Sequence, residues 1–312
     1  MTNNTNKTLW TFTIYSALSF FVLGVSAMVH YFIYPTFDKV HENISAFMEV
    51  FNSRIISLFY IPSILLLLSS ISLFWFAPKN FPKWTIVASV VLSLISVTTI
   101  FFLLIPIQNS FSETSGFEMT KYNDLLSFSF KFQLAPILLQ TLLAFWLLRT
   151  FITNVKPFSK WLFIIVFALA FFTAGSDSTE KILNYPLWLK VSESEWLSFR
   201  QAVQTKAFLW VYLLPAFLPL LLLLLMIWFR PTSIKRKYIF LYLGLYVFIS
   251  AISSAYFVPK LQLQLNKAYS ITLIEELIKM DFPLRFLPSL LIYGLATFMF
   301  IKVGQDQLQE TK

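Results

Sequence analysis

Cysteine is absent from the chain, and histidine occurs twice, as His30 and His41. No disulfide, thiolate metal site, cysteine nucleophile or iron–sulfur ligation is therefore available. Two histidines argue against a bis-histidine haem or a histidine-rich metal centre, so neither a cofactor nor a metal is expected. Charge is scarce too: 12% of the 312 residues are Asp, Glu, Lys or Arg, against 57% hydrophobic, which excludes an ordinary soluble domain. Only 6 glycines and 14 prolines are present, which excludes a linker-rich or disordered chain. No phosphate loop, dinucleotide fingerprint, HExxH or Ser/His/Asp constellation is found. No motif assigns a reaction, so whether the protein is an enzyme stays open.

What is present is apolar sequence in span-length runs. Residues 9–35, 55–77, 84–106, 125–151, 161–183, 207–229, 238–258 and 283–301 are each long enough for a hydrocarbon core of roughly 30 Å. The expected fold class is all-α: a polytopic membrane protein with eight transmembrane helices. Val25-Ser26-Ala27 resembles a signal-cleavage site, but the apolar run around it is too long for a signal peptide.

Charge sets the expected topology. The short connections near residues 1–8, 78–83, 153–160, 230–237 and the tail after 301, with their flanks, hold 12 basic and 2 acidic residues. The opposite side holds the other 12 basic residues and 13 acidic ones. Short basic loops stay in the cytoplasm, so both termini are expected inside, in a bacterial inner membrane. The net charge of +9 is on this reading a topology signal and not a nucleic-acid footprint. The longer loops, near 36–54, 107–124, 185–206 and 259–282, face outward and are the expected place for a site.

The chain also reads as two copies of one unit, residues 1–155 and 156–312. Tyr34-Pro35 and Lys39-Val40 return as Tyr185-Pro186 and Lys190-Val191; Arg54 is matched by Lys206. Gly24 pairs with Gly175, Pro62 with Pro215, Pro106 with Pro259, and Lys131 with Arg285. Four spans per copy give both the same orientation, as parallel repeats about an axis along the membrane normal. Within each copy the Tyr-Pro pair is expected to end the first helix. An amphipathic extracytoplasmic helix follows, over 38–53 or 190–205. Its stripe of Phe37, Val40, Ile44, Phe47 and Phe51 lies on the outer surface or folds into the bundle mouth. Pro62, Pro215 and Pro219 are expected to kink their spans. Residues 271–280 read as a short charged helix, broken at Asp281-Phe282-Pro283, that docks on the bundle or on another protein.

Tyr34-Pro35-Thr36-Phe37, Arg54-Ile55, Pro62, Pro82, Thr98, Pro106-Ile107-Gln108, Gly116-Phe117-Glu118 and Lys131 together carry a resemblance. They are similar to small four-helix bacterial membrane proteins of the anthrone-oxygenase-like group, whose members look like one copy of this unit. The resemblance covers about residues 24–151 and, more weakly, 175–301. It implies a four-helix fold per copy and hints at oxygenase chemistry. The family pattern has histidines on the outer segment and after the third-helix proline, and Asn-Trp before the last basic residue. Here Glu49, Asn52, a displaced His41, Gln108 and Phe128-Ser129 stand instead, which puts that chemistry in doubt.

The candidate ligand-binding residues follow. Asp177, Glu180 and Lys181 sit in the outer part of the fifth span, where copy one is nearly apolar. Asp177 and Lys181 share a helix face. Ionisable residues in a span face a cavity or a partner; alternatively, the helix ends near Gly175 and the rest is an exposed extension. Lys131 and Arg285 pair with those acids, bind an anionic headgroup, or snorkel to the interface. His30 is a proton carrier, a ligand or a hydrogen-bonded structural residue. His41 with Glu42 and Glu49 is a weak metal set or a solvated face. Arg54 and Gln108 complete the outer candidates.

Four functions compete: a binder of a lipid-like or amphipathic small molecule in an extracytoplasmic crevice; a subunit of an envelope complex docking a partner protein; a membrane oxygenase or oxidoreductase on a hydrophobic substrate; and a transporter. Membrane lipid is a partner in all four, and nucleic acid in none.

Overall fold

The computed structural model describes residues 3–113, 118–203 and 207–310. Lys206, Gly116 and Phe117 of the sequence patterns above lie outside the described residues. Among the described residues there is no strand, and eight helices are long and apolar enough to cross a membrane. They are α1 (Asn6–Lys39), α2 (Ile44–Phe76), α3 (Lys83–Phe111), α4 (Met119–Phe151), α5 (Pro157–Trp188), α6 (Leu209–Met226), α7 (Arg236–Leu265) and α8 (Ile271–Leu308). The protein is an all-α, multi-pass membrane protein. Large apolar side chains such as Phe102, Trp75 and Trp210 stand exposed on the outside, as a lipid-facing wall requires.

The helices outrun the sequence reading, and proline is the reason. A proline removes one N–H and pushes its ring at the carbonyl four residues back. In seven of the eight spans a widened π-helical turn ends two residues before a proline: Pro35, Pro62, Pro106, Pro136, Pro186, Pro215 and Pro288. In α7 the π-helical stretch Ser253–Gln262 contains Pro259. The wide turn relieves the clash, and the helix continues. Tyr34-Pro35 therefore does not end α1, which runs on through a 3-10 turn at Tyr34–Lys39. Tyr185-Pro186 likewise lies inside α5. Asp281-Phe282-Pro283 is no break either: residues 271–280 form the outer end of α8, with Ile274 and Leu277 buried against this chain's own bundle.

Two orphaned carbonyls find side-chain donors. Pro186 cannot bond the Ile182 oxygen, and Arg54 Nη1 donates to it at 3.0 Å. Pro219 cannot bond the Pro215 oxygen, and the Tyr246 hydroxyl donates to it at 3.0 Å.

Helices α1 to α4 pack as one ring of four and α5 to α8 as another. The rings meet chiefly along α1 and α5. At that crossing a Cβ on Gly24 would stand 2.1 Å from the Phe172 carbonyl oxygen, and one on Gly175 would stand 2.1 Å from that of Phe21. Only glycine permits such backbone approach. Both termini lie at one end of the molecule, where Gly304 packs on Leu9.

At the other end each ring carries an amphipathic helix. Ile44–Ile55 is the outer part of α2 itself, while Trp196–Val203 lies between α5 and α6 in the chain. Phe37, Val40, Phe47 and Phe51 are fully buried, so the stripe folds into the mouth of the bundle. The two outer segments grip each other. Glu195 accepts from the backbone N–H groups of His41 (2.6 Å) and Glu42 (3.0 Å), and Ser194 donates to Glu42 at 2.6 Å. The Ser194 and Ser192 hydroxyls hold the Glu42 carboxyl below its ordinary value.

Candidate functional site: a charged cavity in the second ring

The second ring encloses a cavity of about 760 Å³, within the usual range for small-molecule sites. Two helix faces build its polar wall. Asp177, Lys181, Tyr185 and Trp188 follow one another along α5 at helical spacing, with Glu180 and Asn184 beside them. Arg285, Ser289 and Tyr293 recur every fourth residue along α8, with Asp281 buried one turn before them. Tyr212 of α6 and Arg200 of the helix Trp196–Val203 close the remaining sides.

The charges are tied into a chain. Asp281, with a side chain 3% exposed, lies 2.9 Å from Arg285 Nε and 3.6 Å from Lys181 Nζ. Neither oxygen makes a hydrogen bond among the described residues, so the attraction is chiefly Coulombic. Lys181 also reaches Asp177 at 3.9 Å, and Tyr293 donates to Asp177 at 3.3 Å. Arg285 donates to the Tyr185 hydroxyl at 3.3 Å and covers the Phe257 ring. Glu180 Oε2 accepts from Asn184 at 2.9 Å and from the Tyr212 hydroxyl; Trp188 donates to Asn184 at 3.0 Å.

Arg200 is held apart from this chain. Its guanidinium lies 4.4 Å over the Trp188 ring, and Nε donates to Asn266 at 3.0 Å. Nη2 donates to Asn266 and, at 3.2 Å, to Gln262. Burial pushes its pKa below the ordinary arginine value, and Glu180 opposes that shift. An arginine remains charged under either influence.

The cavity also has an apolar side. Phe217, Val258 and Leu263 line it and at the same time stand exposed on the outer surface. The cavity thus communicates with the outside between α6, which carries Phe217, and α7, which carries Val258 and Leu263.

Of the residues singled out in the sequence, Asp177, Glu180, Lys181 and Arg285 converge on this cavity. The segment around Asp177 is a continuous part of α5, not an exposed extension. The others lie elsewhere. Lys131 and Glu49 are exposed, and Arg54 serves the Ile182 carbonyl. Gln108 is buried between two tyrosines, donating to Tyr34 at 2.8 Å and accepting from Tyr60 at 2.6 Å. His30 Nδ1 lies 3.2 Å from the Ser129 hydroxyl, which donates to Gln133 at 3.2 Å. Among the described residues, no three His, Cys, Asp or Glu side chains converge as a metal set.

Lys131 and Arg285 stand at different distances from the proline that follows each. Arg285 stands three residues before Pro288, and the residue three before Pro136 is Gln133. Lys131 is two residues off, roughly 200° around a helix, and faces outward. In register, then, His30, Ser129 and Gln133 form a neutral chain in the first ring, 151 or 152 residues ahead of Lys181, Asp281 and Arg285.

Asp281 and Arg200 were missed as site residues. In the sequence Asp281 reads as the break after a short charged helix, because the proline two residues on looks like a helix end. Arg200 had one usable signal, its place one turn from Trp196 on an amphipathic helix. The chain matches no protein-family model, no curated protein and no solved structure.

Proposed function

We propose that the protein binds the polar head of a membrane amphiphile in the cavity of its second ring. The observation that carries this reading is the cavity's two-sidedness. Buried ionisable groups line its depth, and it opens between α6 and α7 onto the apolar outer wall. Ionisable side chains at this depth are costly unless they face a polar space that uses them. A head group seated there leaves its tail among Phe217, Val258 and Leu263, in contact with lipid.

The two rings are read as parallel repeats with the termini in the cytoplasm. Reciprocal glycine contacts, a proline-linked π-helical turn in every span and the matching neutral and charged chains support the repeat. The basic bias of the termini end supports the orientation. The site then faces the extracytoplasmic half of the membrane. In this reading the first ring is a packed scaffold and the second carries the ligand.

The test is mass spectrometry of the protein released from detergent under native conditions. One amphiphile per chain is expected to survive on the wild type and to be lost in Ser250→Trp, which fills the cavity from α7. Equal retention by both proteins refutes the reading.

A further inference from the structure

Two cavity-lining ions with no ionic partner within 4 Å among the described residues define what the head group must carry. Glu180 takes both of its described hydrogen bonds on Oε2, from Asn184 and Tyr212. Among the described residues, nothing donates to Oε1, and no cation lies within 4 Å of the carboxylate. Arg200 uses Nε and Nη2, both on the neutral side chains of Asn266 and Gln262. Among the described residues, Nη1 has no acceptor, and no carboxylate lies within 4 Å of the guanidinium. The Arg200 residue is 9% exposed and lines the cavity together with Glu180. The other four charges nearby, Asp177, Lys181, Asp281 and Arg285, pair with one another within 4 Å.

A carboxylate oxygen and a guanidinium edge, neither with a protein partner among the described residues, face one space. Burying either without a partner is unfavourable, and a single ligand bearing both complements satisfies both. An anionic lipid answers only Arg200 and brings a like charge toward Glu180 and Asp177. A cationic amphiphile makes the opposite error at Arg200. A neutral head leaves both ions unpaired.

We propose that the ligand is a zwitterionic amphiphile. Its primary ammonium donates to Glu180 Oε1, and its phosphate or carboxylate accepts from Arg200 Nη1. Chemically, this is the head group of an aminophospholipid. The inference rests on the amphiphile reading above and names its head-group class.

The test is a competition in detergent, read by native mass spectrometry. Phosphatidylethanolamine, phosphatidylglycerol and diacylglycerol of identical chains are offered together, with free glycerophosphoethanolamine in a separate arm. Phosphatidylethanolamine is expected to be preferred by at least about tenfold over each competitor, the worth of one charged hydrogen bond. Glu180→Gln and Arg200→Lys are each expected to cut that preference by about tenfold while leaving the protein monodisperse. Glu180→Gln should erode selectivity against phosphatidylglycerol, and Arg200→Lys selectivity against diacylglycerol. Equal binding of the three lipids by the wild type overturns the head-group assignment and leaves the amphiphile reading standing. Glycerophosphoethanolamine binding as tightly as the lipid overturns the amphiphile reading and keeps the head-group chemistry. No binding in any arm overturns both. The wild-type competition decides the matter even if a variant fails to fold.

Discussion

Replacing Asp281 by Asn is the sharpest probe of the buried charge cluster. The substitution keeps the shape and removes one negative charge from a side chain that is 3% exposed. Asp281 is the acid shared by Arg285, at 2.9 Å, and Lys181, at 3.6 Å. After the change Lys181 still has Asp177 at 3.9 Å, but among the described residues Arg285 keeps only the neutral Tyr185 hydroxyl and the Phe257 ring as side-chain partners. Leaving one partner of a buried pair uncompensated costs about 3–5 kcal/mol. At about 2 °C per kcal/mol for a chain of this length, Tm falls by about 6–10 °C. Asp177→Asn is the matched control. Its carboxylate is 39% exposed and its pair is the longer one, so the expected loss is below about 1 kcal/mol. The double variant Asp281→Asn with Arg285→Gln should recover part of the loss, because the stranded cation goes too. The assay is thermal unfolding in detergent, followed by the loss of the monodisperse peak. If Asp281→Asn leaves Tm within about 2 °C of wild type, or if Asp177→Asn costs more, the cluster is not held together as described.

Three further outcomes follow from the same geometry. Gly24→Ala and Gly175→Ala should each destabilise by about 1–3 kcal/mol or more, since the obstructing atom is a backbone carbonyl. Gly244→Ala and Gly294→Ala, with nothing within 4 Å, should be neutral or stabilising by up to about 1 kcal/mol in the same unfolding assay. Tyr246→Phe removes the donor to the Pro215 carbonyl and should cost about 1–3 kcal/mol, with hydrogen exchange rising locally in α6 around Pro219. The triple change Lys181→His, Asp281→Ser, Arg285→Gln copies the first ring's neutral chain into the second. It should fold with a Tm near wild type, because neutral replacements of buried ion clusters are tolerated. It should bind the amphiphile more weakly; folding failure would argue against the register linking the two chains.

Much of this molecule is written in local sequence. The eight apolar runs survive in the structure as helices, and the Asp177-Glu180-Lys181 anomaly as part of a cavity wall. What local reading lost was continuity. Pro35, Pro186 and Pro283 looked like helix ends because a proline breaks the α-helical ladder. A π-helical turn restores it, at Pro186 with a donor from far away, Arg54 on the Ile182 oxygen. The same error hid Asp281, which belongs to α8 only if the helix passes Pro283. Lys131 was aligned by charge, whereas proline register aligns Gln133. Arg200 was hidden for another reason. Its partners are Trp188, Gln262 and Asn266, and no local pattern brings α5 and α7 to one point.

The most direct test of a head group in the second ring is an experimental density map of the protein in native-lipid nanodiscs. The account requires density between Arg200 Nη1 and Glu180 Oε1, continuing as a tail between α6 and α7, with none at the matching place in the first ring. A second-ring cavity that is collapsed, or that holds only water, contradicts it.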